Sequence, residues 1–316
     1  MDLNAWIHPE VSVPAESLPQ TSPPPAIQIG AVFPQTELAN NREDVAAWGR
    51  GVTELGYRHV LAYDHVLSGS QAAHHPKLVG RYDETDTFHE VLVLFGYLAA
   101  IAPELEMVTG VLVLPQRQTA LVAKQAATLD MLTNGNLRLG VGIGWNDIEY
   151  QGLGESFGNR GKRIEEQVEV LRALWTEPII SFEGNWHTIE HAGLAPMPLR
   201  RQMPVWIGAN ADVGIRRAAR IADGFFPNEG TIERYEHILT VLRDELARGD
   251  RDPANFGIEA RISVRNSTAD DWKRLYSWWW ERGASHISVN TMGAGFTTTA
   301  EHLDGLAQAI RAFESA

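Results

Sequence analysis

LEMVTGVLVLPQRQTALVAKQAATLDMLTNGNLRLGVGIG, residues 105–144, holds a strand, a helix and a second strand in succession. Leu105 to Leu114 reads as a buried strand. The helix after it carries Leu121, Val122, Gln125, Leu129 and Leu132 and stops at Asn134-Gly135, residues that accept the left-handed backbone of a helix end. Leu137 to Gly144 is the next strand. A strand, a crossover helix and a strand form the repeating unit of a parallel sheet.

The same grammar continues in both directions. Upstream, Ile27 to Phe33 is a strand, followed by a helix with Val45, Trp48, Val52 and Leu55 at helical spacing and Gly56 as its stop. Val60 to Tyr63 is the second strand. After a long polar insertion, Thr87-Phe88-His89-Glu90 has the form of a capping box opening a helix with Val91, Leu92, Phe95 and Leu98 inside. Downstream come a helix with Ile164, Val168, Leu171 and Trp175, a small hairpin within Ile179–His191, and a strand at Pro204–Gly208. A helix around 215–222, a strand at Gly224–Pro227 and a helix near 231–248 follow. Phe256–Val264 and Ser285–Asn290 supply the last two strands, with helices near 269–282 and 299–313. The run Trp278-Trp279-Trp280 reads as helix packing. Eight such units over roughly 290 residues match a (β/α)8 TIM barrel, an α/β fold, with insertions after strands two and four. A doubly wound sheet is the alternative, since strand order is not legible in one sequence.

The chain has 316 residues, no cysteine, and 40 acidic against 27 basic residues, a net charge of -13. A chain of this length hides roughly three-quarters of its unfolded surface and needs no disulfide or metal staple. The absence of cysteine excludes thiolate metal sites, iron–sulfur clusters and cysteine nucleophiles. The acidic balance argues against a nucleic-acid or anionic-membrane surface, while leaving room for a local basic pocket. Residues 1–26 lack the basic and apolar regions of a signal peptide, and Pro14, Pro19 and Pro23 to Pro25 favour extended chain. They read as a flexible tail before a domain of residues 27–316, or as an anchor using Trp6 and Ile7. A cytoplasmic location follows.

In such barrels chemistry sits at the C-terminal strand ends. Those positions carry Phe33 after strand one, Tyr63-Asp64-His65 after strand two, Gly144-Trp145-Asn146-Asp147 after strand four and Gly208-Ala209-Asn210 after strand five. His65 serves either as a hydrogen-bonded structural residue or as a proton-transfer group. Asp64 beside it would orient the ring or raise its basicity. Gly140, Gly142 and Gly144 resemble a dinucleotide loop, but Trp145 stands where its third glycine belongs. They read instead as points where backbone or a planar ligand approaches closely. Gly208-Ala209-Asn210 leads into a helix and is a better anion site, because free backbone N–H groups and the helix dipole favour a phosphate. There is no HExxH motif: His187 and His191 span a hairpin and loop, and His74-His75 sit in a polar insertion that reads as a solvated loop. Paired carboxylates for a glycosidase would have to come from Asp64, Asp147, Asp223 or Glu229, whose separations a sequence does not give.

Several of these stretches together resemble the bacterial luciferase-like monooxygenase superfamily. They are Thr109 to Arg117 with Ala123 to Asp130, Leu139 to Asn146, and Val205 to Asn210 with Arg217 to Gly224. The resemblance covers about residues 27–312 and is nearest to the branch that uses the deazaflavin coenzyme F420. It implies a (β/α)8 barrel with the cofactor at the C-terminal face, FMN being the alternative. Asp64-His65 then lies near the deazaflavin ring, and Gly110-Val111 is where the family often has a non-prolyl cis peptide. Trp145 and Asn146 match ring-edge and pocket positions, and Gly208, Ala209 and Asn210 match the phosphate loop. Phe33 and Gly144 join the cofactor-binding set. Some family dehydrogenases place a glutamate where this chain has Trp145, which weakens a sugar-phosphate or alcohol dehydrogenase reading.

The resulting expectation is an oxidoreductase acting on a small organic substrate, as a homodimer without metal, with His65 and Asp64 catalytic. Phe33, Tyr63 and Trp145 would line the substrate side. Arg117, Arg160, Lys162 and Arg163 would guide the anionic tail of F420, or be ordinary solvated charges. A flavin-binding protein without turnover and a glycosidase or aldolase are the other classes.

Overall fold

The computed structural model describes residues 26–38, 41–74, 82–228 and 230–316. The expected tail up to Pro25, with Trp6 and Ile7, lies outside these residues, as do His75 and Glu229. The strands are β1 (Gln28–Val32), β2 (His59–Ala62), β3 (Glu106–Thr109), β4 (Leu112–Val113), β5 (Leu137–Gly142), β6 (Ile180–Glu183), β7 (Thr188–Ala192), β8 (Val205–Ala209), β9 (Gly224–Pro227), β10 (Gly257–Ser263) and β11 (His286–Asn290). The helices are α1 (Gln35–Leu38), α2 (Arg42–Glu54), α3 (Val91–Ile101), α4 (Thr119–Leu132), α5 (Asp147–Gly152), α6 (Arg160–Thr176), α7 (Asp212–Ile221), α8 (Ile232–Arg248), α9 (Ala269–Glu281) and α10 (Thr299–Glu314).

Hydrogen bonds run from β3 through β2, β1, β11, β10, β9, β8 and β5 and back to β3, so the parallel sheet closes on itself. The expected eight-stave barrel is therefore present, and the doubly wound alternative is excluded. Among the described residues only β6 and β7 stand apart, as the expected hairpin. Because helices cover the outside and side chains fill the inside, the staves bury both faces. Met107 and Leu112 belong to the outer core between staves and helices. Val32, Leu61, Val108, Trp206, Phe226 and Met292 fill the inside. The tryptophan run packs as expected, with Trp278 and Trp279 against Tyr235 of α8.

Two boundaries differ from the sequence reading. The third strand is not continuous. Met107 pairs with Leu137 and Leu112 with Val141, so the stave gains one residue between β3 and β4. The peptide between Gly110 and Val111 at this break is cis, as the resemblance implied. An unbroken apolar run carries no trace of such a bulge. The capping box at Thr87 is also absent. Glu90 itself caps α3, its carboxylate accepting the Val93 N–H at 2.8 Å. A carboxylate at that point suits the positive end of the helix dipole.

The N-terminal end of the barrel holds a layer of buried charge. Arg138 on β5 places Nη1 2.5 Å from Glu259 on β10 and Nη2 2.9 Å from Glu106 on β3. His59 Nε2 lies 2.9 Å from the same Glu259, and the guanidinium sits 4.3 Å over the Trp206 ring. Burial pushes the Glu259 carboxyl up, but Arg138 and His59 hold it far below the carboxylate range. Burial and the neighbouring Arg138 push the His286 ring down to about 3.

Candidate functional site

The C-terminal ends of the staves form the opposite face, where Asp64 and His65 follow β2. Consecutive residues of extended chain point to opposite sides, and the two side chains accordingly have different partners. Asp64 is buried and faces the neighbouring stave, accepting the Val113 N–H at 2.9 Å and Arg117 Nη2 at 2.7 Å. Burial pushes its carboxyl up; Arg117 and the Val113 amide pull it back part of the way. Asp64 is thus the counter-ion of Arg117, and the expected pairing in which it orients His65 is not the one formed.

His65 turns the other way, into the insertion after strand two. Phe88, Tyr82 and Trp145 meet its ring edge-on at centroid distances of 4.8, 5.2 and 5.7 Å. It lines a cavity of about 200 Å³ together with Leu67, Phe88, Glu84 and Asp86. Its Nδ1 is buried without a hydrogen-bond partner, 3.8 Å from Glu149 Oε1. Glu149, on α5, is the residue that sequence reasoning missed. Its carboxylate accepts the amides of Val66 at 2.5 Å and Leu67 at 3.1 Å, and Gln116 Nε2 at 2.8 Å. Burial pushes this carboxyl up, yet the His65 ring, these amides and Gln116 together hold it below its ordinary range. The charge of Glu149 therefore fixes the backbone that carries His65.

Val111 projects between two other staves. A Cβ on Gly142 or Gly208 would lie 2.5 or 2.9 Å from its methyl groups, so small residues there are a packing requirement. Gly144 has φ +61°, a backbone region closed to most side chains, and a Cβ there would also strike Val113. The close approach expected of this glycine series is made by protein atoms. Beside it, Trp145 is 41% exposed at the mouth. Asn146 caps α5, accepting the Glu149 amide at 3.4 Å and donating to Leu67 O at 3.0 Å.

Gly208-Ala209-Asn210 runs from β8 toward α7, as expected. The N-cap of α7, Ala211, makes no side-chain hydrogen bond, so the first-turn amides are not capped by a side chain. Asp212 in that turn is paired with His237 at 2.9 Å. Asn210 Oδ1 accepts from Asn228 Nδ2, and Asn228 Oδ1 from Arg261 Nη2, each at 2.7 Å. The Arg261 guanidinium lies 5.4 Å from the Tyr63 ring centre. This cation from β10 was not singled out in the sequence, where it is one arginine among many.

Two expectations are corrected. Phe33 is 0% exposed and packs edge-on against Trp48 at 5.1 Å, so it belongs to the core and has no surface left for a ligand. Arg117 and Arg163 are not free rim charges: Arg117 joins Asp64 and Glu90, and Arg163 joins Glu155. Arg160 stacks 3.5 Å from the Phe157 ring, and Lys162 is exposed. Among the described residues, no cluster of side chains is suited to a metal ion, and no helix is long and apolar enough to cross a membrane.

A family model described as luciferase-like monooxygenase matches residues 18–313. An uncharacterized protein of Mycobacterium tuberculosis is 35% identical over 189 residues, 60% of this chain and 64% of that protein's length. The FMNH2-dependent dimethylsulfone monooxygenase of Pseudomonas fluorescens is 29% identical over 57% of this chain and 49% of its own. The chain thus matches under two-thirds of the length of these relatives. Among solved structures, an F420-dependent secondary alcohol dehydrogenase superposes with a TM-score of 0.74 at 16% identity, covering 91% of this chain and 99% of that one. A Streptomyces bottropensis monooxygenase gives 0.71 at 18% identity, covering 90% and 99%. At these identities the likeness concerns the fold.

Proposed function

The chain belongs to the luciferase-like monooxygenase family, and from that premise we propose that it is an oxidoreductase using coenzyme F420 at the mouth of the barrel. The observation that carries this reading is the convergence at one face of an imidazole, an exposed indole, a guanidinium and an uncapped helix start. His65 supplies the first, Trp145 the second, Arg261 the third and α7 the fourth. These groups fit a planar ring with a phosphorylated side chain: apolar walls for the ring, a cation near its polar edge, and a helix start without a side-chain cap for the phosphate.

The deazaflavin, when bound, supplies the carbon that gives or takes hydride. The protein's own part is orientation and proton handling. Val111 would support the ring from below, with Gly208, Ala209 and Asn210 holding the phosphate through backbone N–H groups. Trp145 and Tyr63 keep water from the reacting face. His65 exchanges a proton with a small organic substrate through Nε2, its Nδ1 being turned toward Glu149. The chain is proposed to act as a homodimer covering the apolar face of Val93, Leu121 and Leu132, which are 70%, 52% and 61% exposed.

A second reading, an FMN-dependent monooxygenase, is favoured by the likeness to the dimethylsulfone enzyme. Titration of the purified chain with F420 and FMN in parallel, followed by fluorescence quenching, separates the two. Tighter binding of F420 is expected, and preferential binding of FMN overturns the deazaflavin reading. Binding of neither overturns both.

A further inference from the structure

On the C-terminal face, on the far side of Arg117 from Asp64, three side chains from three elements form a hydroxyl–imidazole–carboxylate relay. Thr119, the first residue of α4, has Oγ1 2.6 Å from Nε2 of His187, at the tip of the β6–β7 hairpin. Nδ1 of the same ring lies 2.8 Å from Oε1 of Glu166 on α6. The directions of these bonds follow from their partners. Glu166 accepts the amides of Asn185, Trp186 and His187 at 2.8 to 2.9 Å, so its carboxylate is an acceptor throughout. Nδ1 must therefore carry a proton, which leaves the Nε2 lone pair of a neutral ring facing Thr119. Gln167 Nε2 lies 3.2 Å from the carbonyl oxygens of Leu114 and Arg117 and 3.0 Å from Thr119 Oγ1, its two hydrogens shared among them. Facing the Nε2 lone pair of that tautomer, the Thr119 hydroxyl donates its own hydrogen to His187.

The relay opens onto a cavity of about 500 Å³, lined by Thr119, Ala120, His187, Trp186, Arg163 and Ile189 among others. Gln118, the N-cap of α4, makes no side-chain capping hydrogen bond, and the amides of the first helical turn have no intrahelical acceptor. An alkoxide or carbonyl oxygen arriving at Thr119 would meet those amides at the positive end of the helix dipole.

We propose that Thr119, His187 and Glu166 form a second site, at which the Thr119 hydroxyl takes an acyl group from a small carboxylic ester and passes it to water. Oγ1 attacks the ester carbonyl carbon while its proton moves to His187 Nε2. The carbonyl carbon's bond to the leaving oxygen breaks, and that oxygen takes the proton from Nε2. A water molecule then attacks the threonyl ester, giving a proton to Nε2 and releasing the carboxylic acid as Oγ1 recovers its hydrogen. No electrons are exchanged, and the cofactor of the barrel mouth takes no part. Glu166 is a positioning residue that holds the ring and its tautomer; Trp186 and Ile189 supply an apolar wall suited to a short acyl chain.

The test uses p-nitrophenyl acetate with the full chain and with Thr119→Val, Thr119→Ser and His187→Ala, thermal unfolding serving as the check on folding. The wild-type chain is expected to release p-nitrophenolate faster than buffer and to carry an acetyl group on the peptide containing Thr119. Thr119→Val should lower that release about 100-fold or more, the scale of a lost proton-transfer partner, while Thr119→Ser retains it. Should His187→Ala fail to fold, acetyl mapping on the wild-type chain still decides. Acetyl found only on lysines, or equal release from wild type and Thr119→Val, would overturn the proposal and leave the relay as a fastening of the hairpin.

Discussion

Arg117 grips Asp64 with two nitrogens, Nη2 2.7 Å from Oδ1 and Nε 3.4 Å from Oδ2, and turns Nη1 to Glu90 at 2.8 Å. One guanidinium thereby ties the end of the second stave to the cap of α3. Arg117→Ala leaves the buried Asp64 carboxylate without its cation, and breaking a buried pair costs about 3–5 kcal/mol. Arg117→Lys should recover only part of this, since an ammonium cannot reproduce the planar fork. Urea unfolding of the two variants measures both; a loss under about 1 kcal/mol for Arg117→Ala would show that the clamp carries little load.

His65→Ala is expected to spare cofactor affinity and to lower turnover by about 10²–10⁴-fold, the range for a proton-transfer group. Glu149→Gln keeps the shape of the carboxylate but removes the charge that holds the Val66 and Leu67 amides, and should lower turnover by a smaller factor. If both act through the same ring, the double variant will be no slower than His65→Ala alone. Multiplying losses would separate the two residues.

Ala209→Asp should place a negative charge against a cofactor phosphate at the start of α7. Affinity should fall at least about tenfold, the equivalent of 1.4 kcal/mol, with unfolding behaviour unchanged. Quenching titrations that match the parent chain would move the phosphate to another stave.

Stability should decline with acid in a window set by His286. Its folded pKa, pushed down to about 3, lies below the value of about 6.5 of an unfolded histidine. Below pH 6.5 the unfolded chain takes up a proton that the native ring refuses, so stability present above that pH is lost as pH falls toward 3. The slope from one such group is at most about 1.4 kcal/mol per pH unit. Burial lowers His89 and His302 in the same direction. Melting temperatures of His286→Asn between pH 4.5 and 6.5 should fall less steeply than those of the parent; parallel curves would remove His286 from this account.

The barrel was legible because each stave and helix announces itself locally, through an apolar run such as Val60 to Tyr63 or a spacing such as Ile164, Val168 and Leu171. Partnerships across the ring were not. Glu149 serves residues 66 and 67, which lie 83 and 82 positions away, and nothing near position 149 hints at them. The adjacency of Asp64 and His65 suggested a pair, but extended backbone sends neighbours to opposite sides. Phe33 stands at a strand end like the mouth residues, and only the position of Trp48 shows that it is core. Thr119 and His187 are separated by 68 residues and meet because the hairpin folds back along α6.

The extra residue between β3 and β4 has a consequence for how this stave tolerates change in length. Val108 and Val111 both pack toward the barrel interior although an odd number of positions separates them, while Met107 and Leu112 both face the helices. The stave thus changes phase once along its length. Removing one residue between 109 and 111 would restore a regular ladder opposite β5 and leave Leu112 facing the helices and Val111 facing the lumen, because the stretch from Met107 to Leu112 would then match that from Leu137 to Val141 step for step. A single-codon deletion is thus absorbed in this stave, whereas the same deletion within β5, which carries no extra residue, would reverse every side chain beyond the cut.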